Sequence, residues 1–123
     1  MTDSHSAIDA IELLRRLALN HEPTVRLVVG ARPAGAVDAL DAKSAALVRL
    51  GAQLSVGAAT ASCRVAAEVA RAAGATDQEM VAVLVTVAPV VGGARVVAAA
   101  PRLALALDHD VEALDGPVSE SAP

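Results

Sequence analysis

No phenylalanine, tyrosine or tryptophan occurs in the 123 residues. A chain without aromatic rings has no platform on which nucleic-acid bases can stack. The charge pattern points the same way, because the net charge is −4 and acids and bases alternate without a basic stripe. A nucleic-acid partner is therefore not expected. Cysteine is also scarce: the single Cys63 can form no internal disulfide, which fits a reducing compartment. Long apolar runs are missing too. A spanning helix needs roughly 20 consecutive apolar residues. The best window, MVAVLVTVAPVVGGA at 80–94, is shorter, contains Pro89, Gly92 and Gly93, and runs into Arg95, while Arg102 breaks the next run. The first residues, MTDSHSAIDAIELLRR, lack the basic region of a secretory leader. These absences predict a soluble, cytoplasmic protein without a membrane span.

What the chain does have is small aliphatic side chains. Its composition is 54% hydrophobic, with a mean hydropathy of +0.51, and the apolar mass is alanine, valine and leucine. The length suits one domain. A globule of this size has a poor ratio of surface to volume, and many small apolar residues are hard to hide inside one copy. A second burial surface is expected, and without a span it is an interface between copies of the chain.

The periodicity is helical. Residues 4–20 place Ile8, Ile11, Leu14 and Leu17 at three-residue steps, which predicts an amphipathic helix. Pro23, Gly30, Pro33 and Gly35 punctuate 20–35, read as a linker whose VRLVV is either a short extended segment or one helical turn. Asp41 is a good N-cap for a helix running to Gly57, with Ala45, Val48, Leu50 and Leu54 as its apolar face. The next helix runs from about Thr60 to Ala73, with Val65, Val69 and Ala73 on one face and Gly74 as its stop. Thr76-Asp77-Gln78-Glu79 is a capping box, and it opens a helix to about Ala88. Pro89 is expected to break or kink the chain, and Ala94 to Ala100 forms a further helix that Pro101 either kinks or follows with a sixth. The fold class is all-α, a compact bundle of about six helices. The domain plan is an N-terminal helix and linker (1–36), a helical core (37–114) and a flexible tail (115–123).

The segments LDAKSAALVRLGAQLSVGA, AAGATDQEMVAVL and APVVGGARVV resemble the carboxymuconolactone decarboxylase family over roughly residues 40–110. That family includes gamma-carboxymuconolactone decarboxylase and the alkylhydroperoxidase D-like, peroxiredoxin-like thiol enzymes. The resemblance implies a compact all-α bundle assembling as a homo-trimer or hexamer, and a small carboxylate, lactone or peroxide as substrate. Thiol-active members carry Cys-x-x-Cys-x-x-x-His on the helix ending at the Gly-Ala-Thr turn. Here those positions fall on Ala59, Ser62 and Ala66, and the upstream glutamate falls near Ala46 or Leu47. The chain thus resembles a divergent member without the redox pair. Cys63 lies one residue past the second cysteine position, about 100° around the helix.

Two candidate catalytic residues follow. Cys63 lies early in its helix, where the dipole and Arg64 can lower its pKa; alternatively it is a small buried hydrophobe. No histidine or second cysteine lies within a turn of it, so a weakly reactive, largely structural role is expected. Glu68 is either an acid/base facing a cavity or a solvated charge. Two candidate ligand-binding residues are Gln53, a polar residue late in an apolar helix, and Arg95, which suits a carboxylate or an ion pair between subunits. His5, His21 and His109 lack ligand spacing, and APVVGG lacks the ending of a phosphate loop, so neither metal nor cofactor is expected. Two functions stay open: an enzyme of the family just named, or a catalytically silent homo-oligomer that binds a small acidic or apolar ligand.

Overall fold

A computed structural model describes residues 9–30 and 39–109. Among them are six helices and no strand. The expected start of the first helix before residue 9, His5, the linker between 31 and 38, and the tail from 115 lie outside the described residues. The chain divides into two compact units, Met1–Asp41 and Ala42–Pro123.

In the first unit, α1 (Ala10–Ala18) is followed by α2 (Glu22–Gly30). The second helix corrects the linker reading of 20–35. Pro23 is the second residue of α2, in the first turn, where a missing N–H leaves no helical hydrogen bond unmade. His21 supports the same start: its Nδ1 lies 2.8 Å from Oγ1 of the buried Thr24.

The second unit is a four-helix bundle of α3 (Ala42–Val56), α4 (Thr60–Ala72), α5 (Asp77–Val91) and α6 (Gly93–Ala106), with α3 packed against the other three. Leu50, Leu54, Met80 and Cys63 are its largest fully buried side chains, surrounded by alanines. The buried faces match those expected at Leu50 and Leu54 and differ elsewhere. On α3 the inward residues are Ala46, Leu50, Gly51 and Leu54, and Val48 is 60% exposed. On α4 they are Cys63, Ala66, Ala67 and Ala70, whereas Val65 and Val69 face outward. The smaller side chains take the inside positions because the helices approach closely there. A Cβ on Gly51 would lie only 3.1 Å from Val83 Cγ1 of α5.

Neither helical proline ends its helix. Pro89 lies inside α5 and Pro101 inside α6, so α6 is one helix through Ala106 rather than a short one closing at Ala100. A proline leaves the carbonyl four residues earlier without its N–H partner. Those carbonyls belong to Val85 and Val97, both strongly exposed residues, where water can take over the bond.

The helix ends are set by local chemistry. After α3, Gly57 adopts φ +77° and Ala58 N–H donates to Gln53 O; after α4, Gly74 adopts φ +102° and Ala75 N–H donates to Ala70 O. Both are left-handed C-terminal caps that favour glycine. The capping box forms in full: Thr76 Oγ1 accepts from Glu79 N–H at 3.0 Å, and Thr76 N–H donates to Glu79 Oε1 at 2.9 Å. Glu79 also pairs with Lys43 of α3 at 2.8 Å. The Lys43 ammonium, then the Thr76 N–H, hold the Glu79 carboxyl below the usual glutamate range.

Thr76→Ala is expected to cost about 1 kcal/mol in denaturant unfolding, the usual loss for an N-cap hydroxyl. Glu79→Gln keeps a side-chain acceptor and removes only the charge. Because the folded-state pKa is depressed, the carboxylate's contribution is present above the unfolded value of about 4.3 and is lost as pH falls through the lower folded value. The wild type should therefore exceed Glu79→Gln in stability at neutral pH and converge with it in acid. Parallel stability curves across that range would contradict this.

Candidate functional site

The α3 cap shapes a cleft. Gly57 turns the chain at the end of α3, the end of α5 supplies Val91, and α6 lays Ala94, Arg95, Ala98, Ala99 and Arg102 along one side. With Leu54 and Val56 these residues enclose about 460 Å³, within the range of about 300–1,000 Å³ usual for small-molecule sites. Arg95 and Arg102 are seven residues apart, two turns of continuous helix, so both guanidinium groups project from one face. They converge on Gly57, where a Cβ would lie 3.1 Å from Arg95 Nη1 and 3.7 Å from Arg102 Nη1. Among the described residues neither arginine pairs with an acid.

The remaining field is positive as well. Gly92, the N-cap of α6, has no side chain to accept from the free N–H groups of the first turn, and no acid lies in that turn. The positive end of a helix favours anions, and here Ala94 and Arg95 of that turn line the cleft. Two cations, a helix N-terminus and an apolar floor suit a small carboxylate with an apolar body. Among the described residues, the lining has no thiol, hydroxyl, carboxylate or imidazole for nucleophilic or acid–base chemistry.

The four residues singled out from the sequence do not form one site. Arg95 lines the cleft. Gln53 lines a separate cavity of about 160 Å³ between α3 and α4, together with Ala46, Arg49, Val65, Ala66 and Val69. Glu68 is exposed on α4 and lines neither cavity.

Cys63 is fully buried. Its N–H is bonded to Ala59 O, and its Sγ lies 3.8 Å from Ala58 O. Burial pushes the thiol pKa up, and the charge of Arg102 offsets this only in part. The expected help from Arg64 is absent, because that guanidinium donates to Asp108 Oδ1 at 2.8 Å and Leu105 O at 2.7 Å. Arg102 was not singled out from the sequence, although the i,i+7 spacing from Arg95 was the available signal.

Neither described histidine is among the residues lining these two cavities: His21 lies against Thr24, and His109 lies 3.9 Å from Asp77. Among the described residues no three His, Cys, Asp or Glu side chains come together as a metal site, and no helix is long and apolar enough to cross a membrane. No protein-family model, curated protein or solved structure matches the chain.

The buried, protonated thiol should react slowly. Iodoacetamide labelling of the native protein is expected to be slow at neutral pH, with an apparent pKa above the ordinary cysteine value of about 8.5, and to accelerate sharply in denaturant. Rapid native labelling with an apparent pKa below about 7 would mark an activated thiol instead.

Proposed function

We propose that the chain binds a small carboxylate with an apolar body in the Arg95–Arg102 cleft, and that it does so as a homo-oligomer with the bundle of the carboxymuconolactone decarboxylase family. The observation that carries the reading is the convergence of two guanidinium groups on Gly57 with no acid paired to either among the described residues. Like charges brought together repel, and a bound carboxylate relieves that repulsion while accepting forked hydrogen bonds. Leu54, Val56, Val91, Ala98 and Ala99 take the rest of the ligand. Binding is favoured over catalysis because the described lining residues carry no reactive group and Cys63 is sealed in the core.

The oligomer is supported by the second face of the bundle. Leu47, Val48, Ala52, Ala82, Val83 and Val87 line a groove of about 630 Å³ between α3 and α5. Its two hydroxyls are turned away from outside partners: Ser55 donates to Gly51 O and Thr86 to Ala82 O, each at 2.7 Å. Glu79 also lines the groove, its carboxylate paired with Lys43 and Thr76 N–H, so the face presents mainly apolar surface, as a subunit interface requires. The occupant proposed is a second copy of the chain. Trimeric or hexameric assembly follows from the resemblance.

Titration calorimetry with benzoate against benzyl alcohol tests the cleft. Benzoate should bind and the alcohol should not, with affinity falling as salt is raised. Arg95→Gln and Arg102→Gln should each weaken benzoate about tenfold or more, since hydrogen bonds to charged groups contribute about 1.5–3 kcal/mol. Arg102→Lys should fall between, because lysine lacks the planar fork. Equal binding of the neutral analogue, or variants that bind like the wild type, would refute the site.

Assembly is tested separately. Light scattering at micromolar concentration should give three or six times the 12.3 kDa chain mass. A stable monomer would refute the oligomer while leaving the cleft untouched.

A further inference from the structure

Past the described residues the chain continues as DVEALDGPVSESAP, residues 110–123. This segment carries four acids, Asp110, Glu112, Asp115 and Glu120, and no lysine or arginine. Its charge is opposite to that of the Arg95–Arg102 cleft, where two guanidinium groups flank Gly57 with no paired acid among the described residues. Segment and cleft belong to the same compact unit, Ala42–Pro123, so the attraction between them acts at short range.

The chain leaves α6 near the cleft. Asp108 adopts φ 66° and His109 N–H donates to Ala104 O at 2.8 Å, which closes α6 and turns the chain off the helix axis. Arg64 of α4 fixes this exit by donating to Asp108 Oδ1. Its neighbour Cys63 lies 3.8 Å from Ala58 O, one residue from Gly57. Exit and cleft therefore both border the start of α4.

The reach fits as well. From Ala106, the last residue of α6, Arg102 lies about 6 Å and Arg95 about 16 Å back along the helix axis. Beyond His109 an extended chain places Glu112 up to about 10 Å away and Asp115 up to about 20 Å away. The two acids can be spaced by about 10 Å, the same as the rise between the two arginines. Ala113 and Leu114 lie between the acids, so the segment repeats the chemistry that suits the cleft: carboxylates on an apolar body.

We infer that residues 110–115 are a tethered strap that occupies the cleft, with Glu112 pairing with Arg102, Asp115 with Arg95, and Leu114 meeting the apolar wall of Leu54, Val56 and Val91. The inference rests on the cleft being an anion site and adds its regulation, because an outside carboxylate must displace the strap. A tethered segment acts at an effective concentration in the millimolar range, so modest pairing suffices. A strap that fills the cleft about 90% of the time weakens an outside ligand about tenfold.

The test compares the full chain with Glu112→Gln/Asp115→Asn and, as a control for general charge, Glu120→Gln. The first readout needs no ligand: the NMR signals of the Arg95 and Arg102 side-chain Nε–H groups should shift in the double variant and stay in place in Glu120→Gln. Salt at about 0.5 M, which shortens screening to a few ångströms, should move the wild-type signals toward those of the double variant. The second readout is titration calorimetry with benzoate, which the double variant should bind about tenfold more tightly than the wild type. Arginine signals that are the same in wild type and double variant would overturn the strap, and so would equal benzoate affinity in chains that both bind it. Shifts in Glu120→Gln as large as in the double variant would do the same. Shifted arginine signals with no benzoate binding by either chain would support the strap and refute the small-carboxylate reading of the cleft.

Discussion

Everything in the bundle depends on how closely helices can approach when no side chain is aromatic. The contact that shows it is Gly51 of α3 against Val83 of α5, where even a methyl group would be 3.1 Å from Cγ1. Alanine recurs along the inner faces of α3, α4 and α6 for the same reason. Each alanine removes little area from water, so the core gains its stability from close backbone approach rather than from large buried groups. Several valines are left outside, while Val83, Val87 and Val96 pack against the core. Val48, Val65, Val69, Val85 and Val97 are all at least half exposed. The apolar rims of both cavities and the bare α3–α5 face follow from one packing choice.

That choice also explains why the helix ends matter so much. Short helices with small side chains gain little from each turn, so their boundaries must be fixed locally. Gly57, Gly74 and the left-handed Asp108 (φ 66°) close α3, α4 and α6. Ion pairs then tie these ends to their neighbours: Arg64 holds Asp108, Arg71 holds Asp77 at 2.7 Å, and Lys43 holds Glu79. Gly57 has a second role. The missing Cβ that permits the positive φ also leaves room for the Arg95 guanidinium, so one residue ends a helix and opens a cleft.

From Asp41 onward the fold was legible in the sequence wherever a boundary had its own chemistry. Gly57, Gly74 and the Thr76–Glu79 box mark their helix ends through bonds that neighbouring residues make among themselves. The misread boundaries share one cause, proline. Pro23 looked like a linker residue but sits in a first turn, Pro89 was read as a break or a kink and Pro101 as a kink or a new start, and both lie inside helices where the residue carrying the orphaned carbonyl is exposed. Local pattern does not reveal which side of a helix is wet. That error hid the site as well, because Arg95 and Arg102 share a face only if α6 runs through Pro101. The expected faces held at Leu50 and Leu54 but not at Val48, Val65 and Val69, because valine outranks alanine in hydrophobicity while spacing between helices decided which went inside.

The arginines separate by what surrounds them. Arg64 and Arg71 lie on α4 and reach acids at the ends of other elements, and a cation in the last turn of a helix also suits its dipole, as for Arg71. Arg95 has neither support. It lies in the first turn of α6, where the dipole opposes a positive charge, and the like-charged Arg102 shares its place beside Gly57. A stability-driven sequence would place an acid there, as α5 does with Asp77 and Glu79. Two cations set against a helix dipole, beside apolar side chains, break the local rules that the rest of the bundle obeys. Such conflicts concentrate at functional sites. This is the physical reason to look for an anion at Gly57 rather than at the better-satisfied charges elsewhere.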